Sequence, residues 1–126
     1  MPDLDAAIVK IEKLFGLRAG QPKLNAAQGV RIAYVELGNA RIELMEPSGS
    51  DSPITRFLER NPNGGIHHFC LDVDDVAGTA AALAANGARV LGEGNGQRNV
   101  DGNRIAFVHP KDFLGALVEL EEHPLR

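Results

Sequence analysis

The sequence contains one segment twice, and that repetition narrows the folds open to it more than any other feature. Arg31-Ile32-Ala33-Tyr34-Val35 returns nearly unchanged as Arg104-Ile105-Ala106-Phe107-Val108. Past a turn, each copy is followed by an apolar–Glu–Leu triplet, Ile42-Glu43-Leu44 and Val118-Glu119-Leu120. Each is preceded by a helical pattern that opens on Asp, at Asp3-Leu4 and Asp75-Val76. Self-similarity of this kind marks two copies of one supersecondary unit. The second copy has a further strand-like run, Ile66–Val73, ahead of its helix, where the first has only Met1. The first copy is therefore expected to lack its opening strand.

The local patterns agree with an α+β fold of tandem βαβββ modules. Leu4, Ala7, Ile8, Ile11 and Leu14 fall at helical spacing between Pro2 and Gly16, so a helix is predicted from Asp3 to Phe15. Val30, Ile32 and Tyr34 alternate as a strand requires, and Gly38-Asn39 turns the chain into a second strand over Ala40–Met45. Ser52 as N-cap and Pro53 at the first position predict a short helix with Ile54, Phe57 and Leu58 on one face. A strand Ile66–Val73, a helix Asp75–Asn86, short strands at Ala88–Leu91 and Arg104–Val108, and a last strand Ala116–Leu120 complete the chain. One domain is expected over residues 1–126: module 1 at about 1–50, a linker helix at 51–63 and module 2 at about 64–122.

Composition removes several functional classes. With 13 basic and 17 acidic side chains the net charge is −4, and the basic residues are scattered, so no nucleic-acid footprint shows. No apolar run approaches the length of a membrane span. The single cysteine, Cys70, cannot form an internal disulfide; it suits a reducing cytoplasm and reads as a small core residue rather than a nucleophile. Gly92-Glu93-Gly94-Asn95-Gly96 is glycine-rich but does not open a helix, so dinucleotide and phosphate-loop readings fail on context. Asp72, Asp74 and Asp75 lack an EF-hand pattern, and Asp75 is explained as a helix start.

Side chains alternate across a strand. Phe69, Leu71 and Val73 are thus expected to pack on helices, leaving His68, Cys70 and Asp72 on the other face. Glu43 lies opposite Ile42 and Leu44, and Glu119 opposite Val118 and Leu120. Related by a pseudo-twofold axis, the two glutamates are expected to face each other across a concave mixed sheet with His68 nearby. A glutamate alternating with apolar residues is also what the wet face of an antiparallel strand ordinarily carries. Histidine and carboxylates together suit a divalent metal, and carboxylates suit proton transfer.

A twice-repeated βαβββ unit with His and Glu at strand positions resembles the vicinal oxygen chelate superfamily. Three stretches are similar to the methylmalonyl-CoA epimerase family within it. They are Asp51-Ser52-Pro53-Ile54 through Leu58, Gly64-Gly65-Ile66-His67-His68 to Asp75, and His109-Pro110-Lys111-Asp112 to Glu121. The resemblance implies an isomerase that interconverts (2R)- and (2S)-methylmalonyl-CoA. The proton at C2 moves through an enolate stabilised by a divalent metal (cobalt, manganese or zinc). It also implies a homodimer with an acyl-CoA substrate. By motif position it makes Glu43, His68 and Glu119 the metal ligands and Glu119, then Glu43, the proton carriers. His67 is expected on the opposite face in a structural role. Some members carry another base on the strand after Gly29-Val30, where Arg31 and Ile32 stand here. Members also carry a further His ligand upstream of Pro2-Asp3-Leu4, so a gene start misplaced at Met1 is expected. Arg104 and Lys111 are candidate partners for the CoA phosphates, although surface charge explains them equally. Competing functions are a glyoxalase-like isomerase or lyase, a dioxygenase disfavoured by the single candidate His, and a non-catalytic binding or truncated copy.

Overall fold

In the computed structural model, which describes residues 1–92, 97–99 and 101–123, the chain forms two compact units, Met1–Ile66 and His67–Arg126. Glu93–Gly96 of the glycine-rich run lie outside the described residues. No helix among those described is long and apolar enough to cross a membrane.

In the first unit, helix α1 (Leu4–Phe15) begins where Asp3 accepts from the Ala6 N–H at 2.9 Å, and it ends at Gly16 in the left-handed region. Strands β1 (Lys23–Asn25), β2 (Val30–Glu36) and β3 (Arg41–Pro47) form an antiparallel sheet in that order. β1 was not foreseen: Lys23-Leu24-Asn25 is too short and too polar to show a period. One face of the sheet, Ala33, Val35 and Leu44, packs against Leu4, Ile8 and Ile11 of α1. Leu14, expected on the same stripe, is exposed in the last turn. The other face carries Val30 and Ile32, on which Ile54 is buried beside Tyr34 and Met45.

Ser52 is not the helix cap that its sequence context predicts. Helix α2 (Thr55–Arg60) starts after Ile54, with no side-chain cap bond. Seating Ile54 on Val30 and Ile32 draws Ser52 and Pro53 into the preceding turn, where the Ser52 carbonyl accepts from Thr55 N–H at 3.0 Å. Gly29 sits against this turn with φ +63°, and a Cβ there would meet Ser52 Cα at 3.3 Å. Both the conformation and the approach select glycine.

The second unit repeats the plan with one more strand. β4 (His68–Val73) runs parallel to β7 (Leu117–Glu122), which pairs antiparallel with β6 (Ile105–Val108), and β6 with β5 (Val90–Leu91). The order is β4-β7-β6-β5, whereas the described residues of the first sheet hold three strands. The class is α+β, and β4 is the strand present in only one copy. Helix α3 (Val76–Ala85) lays Val76, Ala80 and Leu83 toward Ala106, Val108, Val118 and Leu120.

The expected apolar face of β4 is a correction. Val73 packs on that core, but Phe69 and Leu71 are 49 % and 54 % exposed. α3 lies over β5, β6 and β7, and β4 is the end strand of the sheet, so the helix does not reach these two side chains. Cys70 is likewise exposed rather than in the core.

One contact recurs in both units. The first helical N–H of α1, on Leu4, donates to Glu46 Oε2 at 2.7 Å. The first of α3, on Val76, donates to Glu122 Oε2 at 2.9 Å. Asp75 stands at the N-cap position but makes no side-chain cap bond. A carboxylate at a helix N-terminus satisfies an orphan donor and meets the positive end of the helix dipole. Arg31 adds a tie in the first unit, donating to Glu46 at 2.9 Å and to Asp5 at 2.9 and 3.1 Å. In the second, Arg89 forks onto Asp112 at 2.8 and 3.2 Å.

Two measurements check this frame. Replacing Glu122 by Ala is expected to lower unfolding stability by about 1 kcal/mol, the usual worth of a lost cap; an unchanged urea midpoint counts against the capping role. Asp112 is held down to about 2, from an ordinary 3.8, by the side-chain and backbone N–H groups of Arg89. Its folded pKa is lowered, so its contribution is complete above the unfolded value and fades as pH falls from 3.8 toward 2. Asp112→Asn is expected to flatten the stability–pH curve in that window, and a curve parallel to that of the parent chain contradicts this.

Candidate functional site

The site residues stand on the sheet faces turned away from α1 and α3. In the second unit, the parallel pairing of β4 with β7 sets Cys70 opposite Glu119 and Asp72 opposite Glu121. His68, at the start of β4, points the same way. Its Nε2 lies 3.2 Å from Glu119 Oε2, with both side chains nearly buried. This juxtaposition was expected from alternation and is realised by the register. An imidazole and a carboxylate at that distance can share a proton or a divalent cation.

His67 does not point away. It precedes β4, and its Nδ1 is 3.1 Å from His68 Nδ1, the rings meeting edge to face at 5.2 Å. One Nδ1 must donate and the other accept. Such a bond orients the His68 ring and sets which of its nitrogens carries the proton.

The same face holds groups that sequence reasoning missed. Glu121 is 5 % exposed. Its Oε1 accepts from Asn99 Nδ2 at 2.6 Å and Asn103 Nδ2 at 2.8 Å, and Cys70 Sγ is 3.6 Å from Oε2. Burial pushes the Glu121 carboxyl up. The amides of Asn103 and Asn99, helped by His123 and Cys70, outweigh it and hold the group below the usual carboxylate range. His123 Nε2 stands 3.2 Å from Glu121 and 3.5 Å from Asp72. The period of two from Glu119 was the available signal for Glu121. Nothing in the sequence linked it to Asn99 and Asn103.

Cys70, Glu119 and Glu121 form one group of donor atoms within 4.8 Å of one another, and Asp72, Glu121 and His123 another. Desolvation, then the charges of Glu119 and Glu121, push the Cys70 thiol far above its ordinary value. That environment disfavours the thiolate, the nucleophilic form. The imidazole and carboxylate donors of this face fit a divalent ion of borderline hardness.

In the first unit, Glu43 projects from β3 on the face opposite Leu44, as expected. Its cross-strand partner is Tyr34, whose hydroxyl is 3.4 Å from Glu43 Oε1. Ile32 on this face is buried core and Arg31 on the other is engaged with Asp5 and Glu46, so neither stands in for a base. Arg104 and Lys111 are exposed near the two ends of β6, Lys111 within a short 3-10 turn over Pro110–Asp112.

Residues 1–107 match the family described as the Glyoxalase/Bleomycin resistance protein/Dioxygenase superfamily. The ethylmalonyl-CoA/methylmalonyl-CoA epimerase of Cereibacter sphaeroides is 44% identical over 122 residues, 97% of this chain and 91% of that protein. A methylmalonyl-CoA epimerase of Streptomyces coelicolor, solved in complex with 2-nitronate-propionyl-CoA, superposes with a TM-score of 0.85 at 33% identity, covering 96% of this chain and 87% of that one. A further methylmalonyl-CoA epimerase, in complex with methylmalonyl-CoA and NH4+, gives the same TM-score, identity and coverage. The repeated unit, the glutamate that each copy carries and these likenesses agree: the chain belongs to the methylmalonyl-CoA epimerase family of the Glyoxalase/Bleomycin resistance protein/Dioxygenase superfamily.

Proposed function

We propose that this chain is a metal-dependent epimerase that interconverts (2R)- and (2S)-methylmalonyl-CoA by proton transfer at C2. The observation that carries the reading is the pairing of Glu119 with His68, within a chain 44% identical to an ethylmalonyl-CoA/methylmalonyl-CoA epimerase along almost its whole length. A related enzyme has been solved with methylmalonyl-CoA itself.

Inverting a carbon centre needs a proton carrier for each of its faces. Glu119 is our first choice, and Glu43, at the matching position of the other repeat, is the second. Glu43, His68 and Glu119 are also the proposed ligands for a divalent cation. When bound, that cation supplies Lewis acidity at the thioester oxygen, lowering the cost of charge that develops as the α-proton leaves. Buried apolar residues behind each glutamate, Leu44 behind Glu43 and Val118 and Leu120 behind Glu119, keep the carboxylates on the open face. Arg104 and Lys111 are proposed as minor contributors to CoA binding. Two modules acting as one domain, a homodimer and a cytoplasmic setting belong to the same reading.

Incubation with (2R)- or (2S)-methylmalonyl-CoA in deuterated water tests it. Deuterium is expected at C2 when Co2+ is supplied, and little without it; no exchange with any divalent metal overturns the proposal. Glu119→Gln is expected to slow exchange about 100-fold or more, the usual worth of a general acid or base, with the fold intact by circular dichroism.

A further inference from the structure

The repeat that pairs Glu43 with Glu119 is broken at one atom. Glu119 faces Phe107 across the β6–β7 ladder, and Glu43 faces Tyr34 across β2–β3. The two segments otherwise match residue for residue, Arg31–Val35 against Arg104–Val108. The hydroxyl of Tyr34 is what the first copy adds, and it is directed at Glu43 Oε1, 3.4 Å away. The second copy supplies its glutamate differently, with His68 Nε2 at 3.2 Å. Beside one carboxylate stands a phenol, beside the other an imidazole.

The phenol has a partner of its own. Arg41, two residues before Glu43 on β3, holds its guanidinium 4.1 Å from the centre of the Tyr34 ring. A cation over the ring face is attracted to the aromatic quadrupole and strengthens the hydroxyl as a donor. Arg41 also lies 3.9 Å from Glu36, which keeps the guanidinium beside the sheet. Toward a carboxylate, a phenol that keeps its proton donates a hydrogen bond without competing for a cation as a further anionic ligand.

We propose that Tyr34, steadied by Arg41, is a positioning residue for Glu43: it occupies one carboxylate oxygen and orients the other for a divalent cation. The inference rests on the reading of Glu43 as a metal ligand. It makes the two carboxylates inequivalent in their supporting groups, the phenol orienting Glu43 as the neighbouring His67 orients His68.

Tyr34→Phe is the direct test, because it converts the first copy into the pattern already present at Phe107 and keeps the ring for packing and for Arg41. Dissociation constants for Co2+, measured by competition with a chelator, are expected to rise about tenfold in Y34F, the lower range for losing a group that supports a metal ligand. The melting temperature is expected to stay unchanged. R41M is expected to weaken Co2+ binding two- to threefold, in the same direction. Glu43→Gln sets the scale, and the Y34F/E43Q double variant is expected to bind Co2+ no more weakly than E43Q alone, since Tyr34 acts through Glu43. Unchanged affinity in Y34F while E43Q binds poorly overturns the positioning role and leaves the ligand assignment standing. Additive losses in the double variant also overturn it, because Tyr34 then acts elsewhere. An E43Q chain that binds Co2+ like the parent removes the ligand assignment itself, and this inference with it.

Discussion

A carboxylate from the last strand of each unit caps the first helix of that unit, Glu46 on Leu4 and Glu122 on Val76. The contact joins elements 42 and 46 residues apart. It satisfies a backbone donor that no residue within the helix can reach, in the region where the helix dipole favours negative charge. The same strands carry Glu43 and Glu119. Residues an odd number of positions apart in a strand point to opposite faces, so a glutamate three residues before each cap is directed away from the helix. Docking the helix and presenting Glu43 or Glu119 on the open face are therefore one event in each unit: shifting the strand register by one residue forfeits both.

The helix-facing surfaces are closed by small and branched apolar side chains, Ala33, Val35 and Leu44 in one unit and Ala106, Val108, Val118 and Leu120 in the other. The polar contacts there are the cap and, in the first unit, the tie of Arg31 to Asp5 and Glu46. The open faces are where the copies diverge. The first pairs Tyr34 with Glu43 and seats Ile54 on the rest of the sheet. The second adds β4 and gathers His68, Cys70, Glu119 and Glu121, with Asn99 and Asn103 holding the innermost carboxylate. The scaffold is common to the two units, and their open faces differ.

Much of this was legible in the residues, for identifiable reasons. The α1 and α3 boundaries were marked by Asp and Gly punctuation and by periodic apolar positions. The hairpin was marked by alternation around Gly38-Asn39. Glu43, His68 and Glu119 were located by alternation together with the repeat. What was misread involved partners distant in sequence. Ser52 has the chemistry of a cap, but Ile54 had a buried place on Val30 and Ile32, and burial prevailed over a local hydrogen bond. Phe69 and Leu71 alternate as core residues do, yet α3 covers the other strands. Cys70 has apolar neighbours along the chain, whereas across the sheet its neighbours are Glu119 and Glu121.

By itself, the sequence determined the duplicated α+β unit, the paired glutamates and the histidine that accompanies one of them. Periodicity and repetition are local properties of a chain, and they survive without knowledge of what packs where. The tertiary structure decided which side chains stand beside each carboxylate: among them Tyr34 at Glu43, with Arg41 on its ring, His68 next to His67 at Glu119, and the asparagines at Glu121. Those contacts depend on strand register and on segments joined only by folding, where a displacement of one residue exchanges one face of a sheet for the other.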